Sequence, residues 1–214
     1  MVKSTKLRSI KLSGSNLGRS AFVSLRGIKS LRELTLAGER VVTDEISEVL
    51  GDLIQLEELN CRGKRPAVCT DQSLAAIGRL SNLRKLSIAN CHVTDAGVRH
   101  LARCTHLEEL SIGKPRVDVT DDSIRSLSEL PHLKKLVLEC DTGKVTDQGL
   151  AHLKESKTLE FVALTSDGVT ESGAMSLLDR ESLKHVGVYG AQISNDCRET
   201  LDKISFHRER AAQR

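Results

Sequence analysis

A short aliphatic pattern recurs eight times along the chain and limits the folds that the chain can adopt. In each copy, an apolar residue is followed three and five residues later by two more, and the copies begin 24 to 27 residues apart. The copies start at Leu7, Leu31, Leu56, Leu83, Leu107, Leu133, Leu159 and Leu183. A fixed period of this length is typical of stacked units that bury their apolar side chains only against their neighbours. The sequence therefore predicts a repeat array.

A second pattern, Val-Thr-Asp or a close variant, follows most copies of the first. Clear examples begin at Val42, Val93, Val119 and Val145, and apolar residues follow each at helical spacing. A threonine hydroxyl is a good helix N-cap, and the acidic residue after it is stabilised by the positive end of the helix dipole. Each unit is therefore predicted to contain a short strand, a loop, a capped helix and a return segment.

Composition narrows the class of protein. The 214 residues are 39% hydrophobic but include no Trp, one Tyr and three Phe, so the core must be aliphatic. No apolar run approaches the ~18 residues of a membrane helix, and the basic N-terminal segment lacks the apolar stretch of a secretory signal. Six cysteines form no CxxC pair, which favours reduced thiols and a cytoplasmic location. We therefore expect neither a transmembrane protein nor a disulfide scaffold.

Residues 83–107, LRKLSIANCHVTDAGVRHLARCTHL, resemble a unit of the leucine-rich repeat family, and most closely its cysteine-containing subfamily. Cys91 and Cys104 fall where the two cysteines of that subfamily fall. The subfamily occurs in F-box-type substrate receptors and in bacterial leucine-rich repeat proteins. The resemblance implies an α/β fold, a right-handed solenoid or horseshoe of about eight repeats. It places parallel strands on the concave face and helices on the convex face.

The resemblance covers nearly the whole chain but departs from the family pattern in places. Glu39, Asp167 and Ala191 replace the first cysteine in other units, and no F-box segment is present. The resemblance therefore carries more information about fold than about function. We expect the repeat domain to cover residues 1–206, with a capping helix over residues 193–204. Residues 207–214 are expected to form a basic, frayed C-terminal tail.

The concave face is the first candidate binding surface. At positions 2 and 3 of the units, counted from the first leucine, charges of opposite sign alternate from the third strand onward, so we expect them to neutralise one another. Position 5 changes from polar to apolar along the array. Together with Phe161, His185 and Tyr189, it predicts an apolar and aromatic patch that could anchor a protein partner. Alternatively, the segment around Ile204 and Phe206 folds back over this patch.

The second candidate surface is a basic rim formed by the strand-to-helix loops. The longer units carry their extra residues in these loops, and per-repeat insertions often collect on a binding face. The candidate rim residues are Arg62, Lys64, Arg65, Lys114 and Arg116, with Arg40 and Lys144 as additions. Either an acidic protein surface or a phosphate group would fit this rim. Solvated loops with no partner are the alternative.

The third candidate surface is the N-terminal end. Residues 1–32 contain eight Lys or Arg and no Asp or Glu, whereas the remaining chain has 24 basic and 29 acidic residues, a balance of −5. Such an asymmetric distribution can steer an acidic partner to the basic end. Nonspecific contact with nucleic acid is possible in principle, but no aromatic residues are interleaved for base stacking. Protection of the first strand edge explains part of the charge equally well.

No catalytic, metal or cofactor motif is predicted. Cys91, His92, His100, Cys104 and His106 are close in sequence, but the repeat register places the two cysteines in opposite corners of the unit, and a structural zinc site needs four converging ligands. The sequence thus predicts a non-catalytic scaffold that binds another protein, possibly acidic, through its concave face and rim. The alternatives are phosphate or nucleic-acid binding through the basic rim and first repeat, or a substrate-recognition subunit of a ubiquitin-ligase-like assembly.

Overall fold

The computed structural model describes residues 6–14, 18–38, 43–63, 69–140 and 143–212. Side chains are described for all of these except residues 62–63, 114–116 and 212. Of the rim residues, Lys64, Arg65 and Arg40 lie outside the described residues.

The strands form a single parallel sheet whose spatial order follows the chain from first to last. Each strand begins two residues after the first leucine of its unit, as the periodicity predicts. The strands are β1 (Ser9–Ser13), β2 (Glu33–Gly38), β3 (Glu58–Gly63), β4 (Lys85–Thr94), β5 (Glu109–Asp118), β6 (Lys135–Glu139), β7 (Phe161–Thr165) and β8 (His185–Tyr189). The solenoid predicted from the eightfold pattern is therefore confirmed.

A helix follows each strand and lies against the helices of the neighbouring units. Threonine caps the N-terminus of α2 to α7, and its hydroxyl accepts a hydrogen bond from a first-turn N–H in each. The helices are α1 (Arg19–Leu25), α2 (Asp44–Leu50), α3 (Asp71–Ile77), α4 (Asp95–His100), α5 (Asp121–Ser128), α6 (Asp147–Glu155), α7 (Glu171–Ser176) and α8 (Asn195–Ala212), with 3₁₀ turns at Leu101–Arg103 and Leu177–Asp179. The predicted role of the Val-Thr-Asp threonine is thus confirmed.

The core is a column of aliphatic side chains between the sheet and the helices. The first leucine of every unit from Leu31 to Leu183 is fully buried, and the two apolar residues after it are at most 3% exposed in β2 to β8. Burying one such side chain stabilises the fold by about 2 kcal/mol. The first unit differs, because Leu7 is 44% exposed and Ile10 and Leu12 are only partly buried.

A ladder of hydrogen bonds joins the start of each helix to the start of the next. The Asp95 carboxylate, in the first turn of α4, accepts hydrogen bonds from the Thr120 backbone N–H at 2.9 Å and from the Thr120 hydroxyl at 2.9 Å. The same Asp-to-Thr contact recurs in four further pairs: Asp44 with Thr70, Asp71 with Thr94, Asp121 with Thr146, and Asp147 with Thr170. The acidic residue of the motif therefore links successive repeats in addition to stabilising its own helix.

The third residue of helices α3 to α7 is adapted to this ladder. Ser73 and Ser123 donate their hydroxyls to the carboxylates of Asp44 and Asp95. Where the ladder has glycine instead, no side chain would fit, because a Cβ on Gly97 would lie 2.2 Å from an oxygen of the preceding Asp. Gly149 and Gly173 face their carboxylates in the same way. Serine adds a donor at this position, and glycine leaves room for the carboxylate.

The C-terminal helix covers the last strand. The Ser205 hydroxyl accepts a hydrogen bond from the Val186 N–H at 3.0 Å, which occupies a backbone donor on the outer edge of β8. Arg208 donates to the carbonyls of Arg180 and Leu183, each at 2.9 Å. Residues 207–212 therefore belong to α8, where a frayed tail was expected at residues 207–214. The sequence of residues 207–212 has no apolar pattern that would predict a packed helix, and these polar contacts hold the segment in place instead.

We expect the ladder carboxylate to contribute measurably to stability. Replacing Asp95 with Ala leaves the Thr120 donors and the Ser123 hydroxyl without their acceptor, so the free energy of unfolding should fall by about 2 kcal/mol. Asp122→Ala is the matched control, because Asp122 also lies in a helix first turn but pairs only with the exposed Arg125. It should lower the free energy of unfolding by at most about 1 kcal/mol. Urea denaturation at pH 7 measures both changes, and equal losses would contradict a special role for the ladder.

The stabilisation from Asp95 should depend on pH. Burial raises the pKa of Asp95, but hydrogen bonds from Ser123 and Thr120 outweigh it and bring the pKa below its ordinary value. A carboxyl with a lowered folded-state pKa stabilises the fold above its unfolded pKa of about 3.9, and this contribution is lost as the pH falls through the folded value. The difference in unfolding free energy between wild type and Asp95→Ala should therefore shrink on acidification below pH 4. A difference that grows in acid would show that the sign is wrong.

Candidate functional site

The concave face is the side of the sheet opposite the helices. It carries positions 3, 5 and 7 of each unit, counted from the first leucine. These residues are exposed or half-buried in most strands, whereas the alternating residues are buried. The predicted charge alternation produces ion pairs between neighbouring strands. The Lys85 ammonium lies 3.2 Å from the Glu58 carboxylate and 3.4 Å from the Glu109 carboxylate. The middle of the concave face is thus largely self-neutralised.

The residues at position 2 form a second row of such pairs. Glu108 contacts the ammonium of Lys134 at 3.1 Å and the guanidinium of Arg84 on the other side. Hydrogen bonds from Lys134 and Arg84 lower the pKa of Glu108. Arg32 pairs with Glu57, and Lys184 pairs with Glu160. These contacts support the interpretation that the charges mainly set strand register, because exposed pairs contribute little stability individually.

At the C-terminal end of the concave face, the pairs give way to a stacked aromatic pair. The rings of Phe161 and His185 are neighbours in the register of β7 and β8. Their centroids lie 4.2 Å apart with an angle of 6° between the ring planes. The Lys135 ammonium lies 4.8 Å from the centre of the Phe161 ring, and no ion pair reaches Lys135 in the described part of the chain. The sequence reasoning missed Lys135, although its position beside Phe161 at position 3 could have indicated it.

Helix α8 borders this patch. Glu209 approaches the His185 ring nitrogen Nδ1 at 3.3 Å, and the Arg198 guanidinium lies 5.9 Å from the centre of the Tyr189 ring. Tyr189 remains 42% exposed and Phe206 is 54% exposed. The helix therefore packs against the edge of β8 and touches the patch only at its margin. Helix α8 thus contacts His185 and Tyr189 but leaves Tyr189 exposed, and both sequence interpretations of the patch stay predictions.

The structure describes the predicted rim only in part. Arg62 lies near the end of β3, and Lys114 and Arg116 lie within β5, but their side chains are outside the description. The segment GKPRVDV was expected to be a loop, and this prediction is wrong for residues 113–118. There β5 stays extended and pairs in parallel register with residues 91–94 of β4. Lys144, added to the rim by sequence, forms an ion pair with Asp118 at 2.7 Å.

The cysteines and histidines considered for zinc lie in separate environments. The Cys91 thiol lies 4.0 Å from the Gly113 carbonyl, whereas the Cys104 thiol lies 3.9 Å from the Ile77 carbonyl at the end of α3. Among the described residues, no group of three or more His, Cys, Asp or Glu is placed to hold a metal ion. All six cysteines are buried and free. Burial raises the pKa of Cys104 to about 11 and of Cys91 to about 12, which makes both thiols poor nucleophiles.

A depression between the C-terminal ends of α5 and α6 was not foreseen from the sequence. Leu130, Pro131 and His152 line it together with Ser156, which is 5% exposed. The Ser156 hydroxyl has no hydrogen-bond partner among the described residues. In three other repeats the equivalent position holds a leucine, at Leu53, Leu80 and Leu130, and the smaller serine leaves this corner open. An alignment of the repeats with one another could have revealed this depression, because it shows a serine at position 156 where other units have a larger side chain.

None of the helices in the described ranges combines the length and apolar character needed to cross a membrane. No protein-family model matches the chain, and no curated protein matches it. Solved structures do resemble it. The LRR protein LIC12759 of Leptospira interrogans superposes with a TM-score of 0.57 at 21% identity, over 86% of this chain and 43% of that one.

Two further structures are similar. TLR13 in its complex with ssRNA13 gives a TM-score of 0.53 at 16% identity, over 92% of this chain and 28% of that one. Internalin C2 of Listeria monocytogenes gives 0.46 at 22% identity, over 66% of this chain and 55% of that one. This chain thus spans less than half the length of the first two structures. With its eight strand–helix units in one parallel sheet, the protein has the leucine-rich repeat fold.

Proposed function

We propose that this protein is a non-catalytic scaffold that binds another protein through its concave face, with Phe161, His185 and Tyr189 as the central contacts. The observation that supports the proposal is that the exposed Tyr189 and the half-buried, stacked rings of Phe161 and His185 lie together at the end of a sheet whose other charges are largely paired. Aromatic side chains in such a position supply a large contact area when a partner desolvates them. Binding proteins with this fold, such as the HAESA ectodomain that is solved with the IDA peptide hormone, illustrate the class without identifying the partner.

The charges around the patch favour an acidic partner. Lys135 stacks on Phe161, and Arg198 lies over Tyr189. The Nε of Arg198 is buried without a hydrogen-bond partner among the described residues. The rim residues Arg62, Lys64, Arg65, Lys114 and Arg116 would add electrostatic steering toward the same partner. Because the thiols are free and buried, we propose a reducing location such as the cytoplasm.

The aromatic contacts can be tested by affinity capture from a lysate of the source cell in the presence of nuclease. We expect wild type to retain a protein that Phe161→Ala/Tyr189→Ala loses, with a Kd weakened about tenfold or more. Phe206→Ala is the matched control, because Phe206 is an exposed aromatic residue on α8 outside the patch. It should retain the partner as wild type does. Equal retention by all three proteins would reject the concave patch as the binding surface.

The second candidate function is binding of phosphate groups or nucleic acid through the basic rim and the first repeat. It is favoured by Lys6, Arg8, Lys11 and Lys29, which no ion pair reaches in the described part of the chain. Of the similar structures, TLR13 is solved with a single-stranded RNA.

If the protein binds nucleic acid, nuclease treatment should lower its ratio of absorbance at 260 nm to that at 280 nm. The chain has no Trp and one Tyr, so carried-over nucleic acid is easily detected. Substitution of the five rim residues by Ala should reduce the carry-over, because each lost cation removes a phosphate contact. A ratio that is unchanged by nuclease and by these substitutions would reject this function and leave the protein partner.

A further inference from the structure

The two ends of the sheet are finished in different ways. At the C-terminal end, α8 covers the edge of β8 and the Ser205 hydroxyl bonds to the Val186 N–H. At the N-terminal end, no described element covers β1. Within residues 6–212, as far as they are described, the outer edge of the first strand is therefore open.

The backbone groups on this open edge can be assigned from the β1–β2 register. The Arg8 carbonyl accepts hydrogen bonds from β2, and the Gly14 N–H donates to the Ala37 carbonyl. Successive residues of a strand direct their N–H and C=O groups to opposite edges. The groups of Ser9, Lys11 and Ser13 therefore point away from β2, ready for another strand.

The apolar side chains beside this edge are also incompletely covered. Leu7 is 44% exposed and Val23 is 38% exposed, whereas the equivalent first leucines of the later units are fully buried. Ile10 and Leu12 are only partly buried. A strand added at β1 would cover these side chains in the same way as each repeat covers its predecessor.

The charge at this edge selects what can bind there. Lys6, Arg8 and Lys11 are exposed, and no described ion pair reaches them, while residues 1–32 contain no Asp or Glu. A second copy of this edge would bring like charges together across the new pair of strands, which is destabilising. An acidic segment would instead be attracted to it.

We propose that the outer edge of β1 binds an extended, acidic peptide segment of another protein by strand addition. The segment alternates apolar and acidic residues: its apolar side chains cover Leu7, Ile10 and Leu12, and its carboxylates face the lysine-bearing side of the sheet. Main-chain hydrogen bonds to Ser9, Lys11 and Ser13 supply affinity, and the side-chain alternation supplies specificity. This site on β1 lies six strands away from the nearest strand of the aromatic patch, β7, so it is independent of the function proposed above.

A fluorescently labelled seven-residue peptide of alternating Glu and Val, capped at both ends, is the probe. We expect saturable binding to the full chain by fluorescence anisotropy, and no binding by the same peptide with Lys in place of Glu. Hydrogen exchange should slow at the amides of Ser9, Lys11 and Ser13 on binding. The Phe161→Ala/Tyr189→Ala variant should bind the peptide as wild type does. Absence of acidic-peptide binding would overturn the proposal.

Two variants separate backbone pairing from charge. Lys11→Pro removes the outward N–H without breaking the bonds to β2, because proline is tolerated at an edge position whose N–H faces solvent. Its matched control, Lys11→Ala, removes only the charge. We expect the peptide to bind Lys11→Pro about tenfold more weakly than Lys11→Ala. Equal affinities for the two variants would contradict strand addition.

Methylated probes test the same point with the protein unchanged. Backbone N-methylation on every Val blocks a parallel added strand, and N-methylation on every Glu blocks an antiparallel one, because side-chain face and hydrogen-bonding edge alternate together. We expect one of these peptides to lose binding and the other to keep it. If both bind, or neither does, strand addition is wrong.

The remaining occupants give distinct outcomes that would also overturn the proposal. A second copy would appear as a wild-type dimer in sedimentation that Lys11→Pro dissociates. A nucleic acid would appear as displacement of the peptide by a single-stranded oligonucleotide whose affinity is the same for Lys11→Pro and Lys11→Ala.

Discussion

The hydrogen bonds between the first-turn aspartate of one helix and the capping threonine of the next link the repeats along one edge of the solenoid. Each threonine accepts a hydrogen bond from its own helix and donates to the carboxylate of the preceding unit, so a single side chain both starts a helix and fixes its position against a neighbour. The leucine column supplies most of the stabilisation but is tolerant of small shifts, because dispersion contacts are not directional. The hydrogen bonds of the ladder are directional, so they fix the position of each repeat relative to its neighbour. In α3 to α7 the ladder also restricts the third residue of the helix, which is serine where a donor is added and glycine where the carboxylate needs space.

A stack of this kind has two ends, and the chain treats them differently. At one end α8 turns a polar segment into a cover for β8 through Ser205 and Arg208. At the other, no described element covers the outer backbone groups of β1, Leu7 is partly exposed, and no described ion pair reaches the nearby cations. The difference creates a chemical polarity along the array, with a closed aromatic end and an open basic end.

The concave face shows how a largely charged surface can still have a localised site. From β3 to β6 the lysines and glutamates pair across neighbouring strands, so their opposite charges largely cancel on this part of the surface. The sequence breaks this pattern at Phe161 and His185, and the stacked rings replace an ion pair in the same register. Lys135 lies between Glu109 of β5 and Phe161 of β7 in the strand register, and its ammonium lies over the Phe161 ring as part of the patch. The aromatic patch therefore lies where the charge alternation at position 3 stops, beside position-2 pairs that continue to Glu160 and Lys184.

The period, the eight strands, the buried leucines and the threonine caps could be predicted from the sequence, because these depend on residues close together in the chain and on a spacing repeated eight times. It also identified Phe161, His185 and Tyr189 as neighbours, since a constant repeat length converts sequence position into strand register. The folded structure was needed to show that Asp95 bonds to Thr120, that residues 207–212 continue α8, and that β5 remains extended through residue 118. These features depend on contacts between groups that lie about one repeat apart in sequence, and a local pattern does not show which backbone and side-chain groups will meet across that separation.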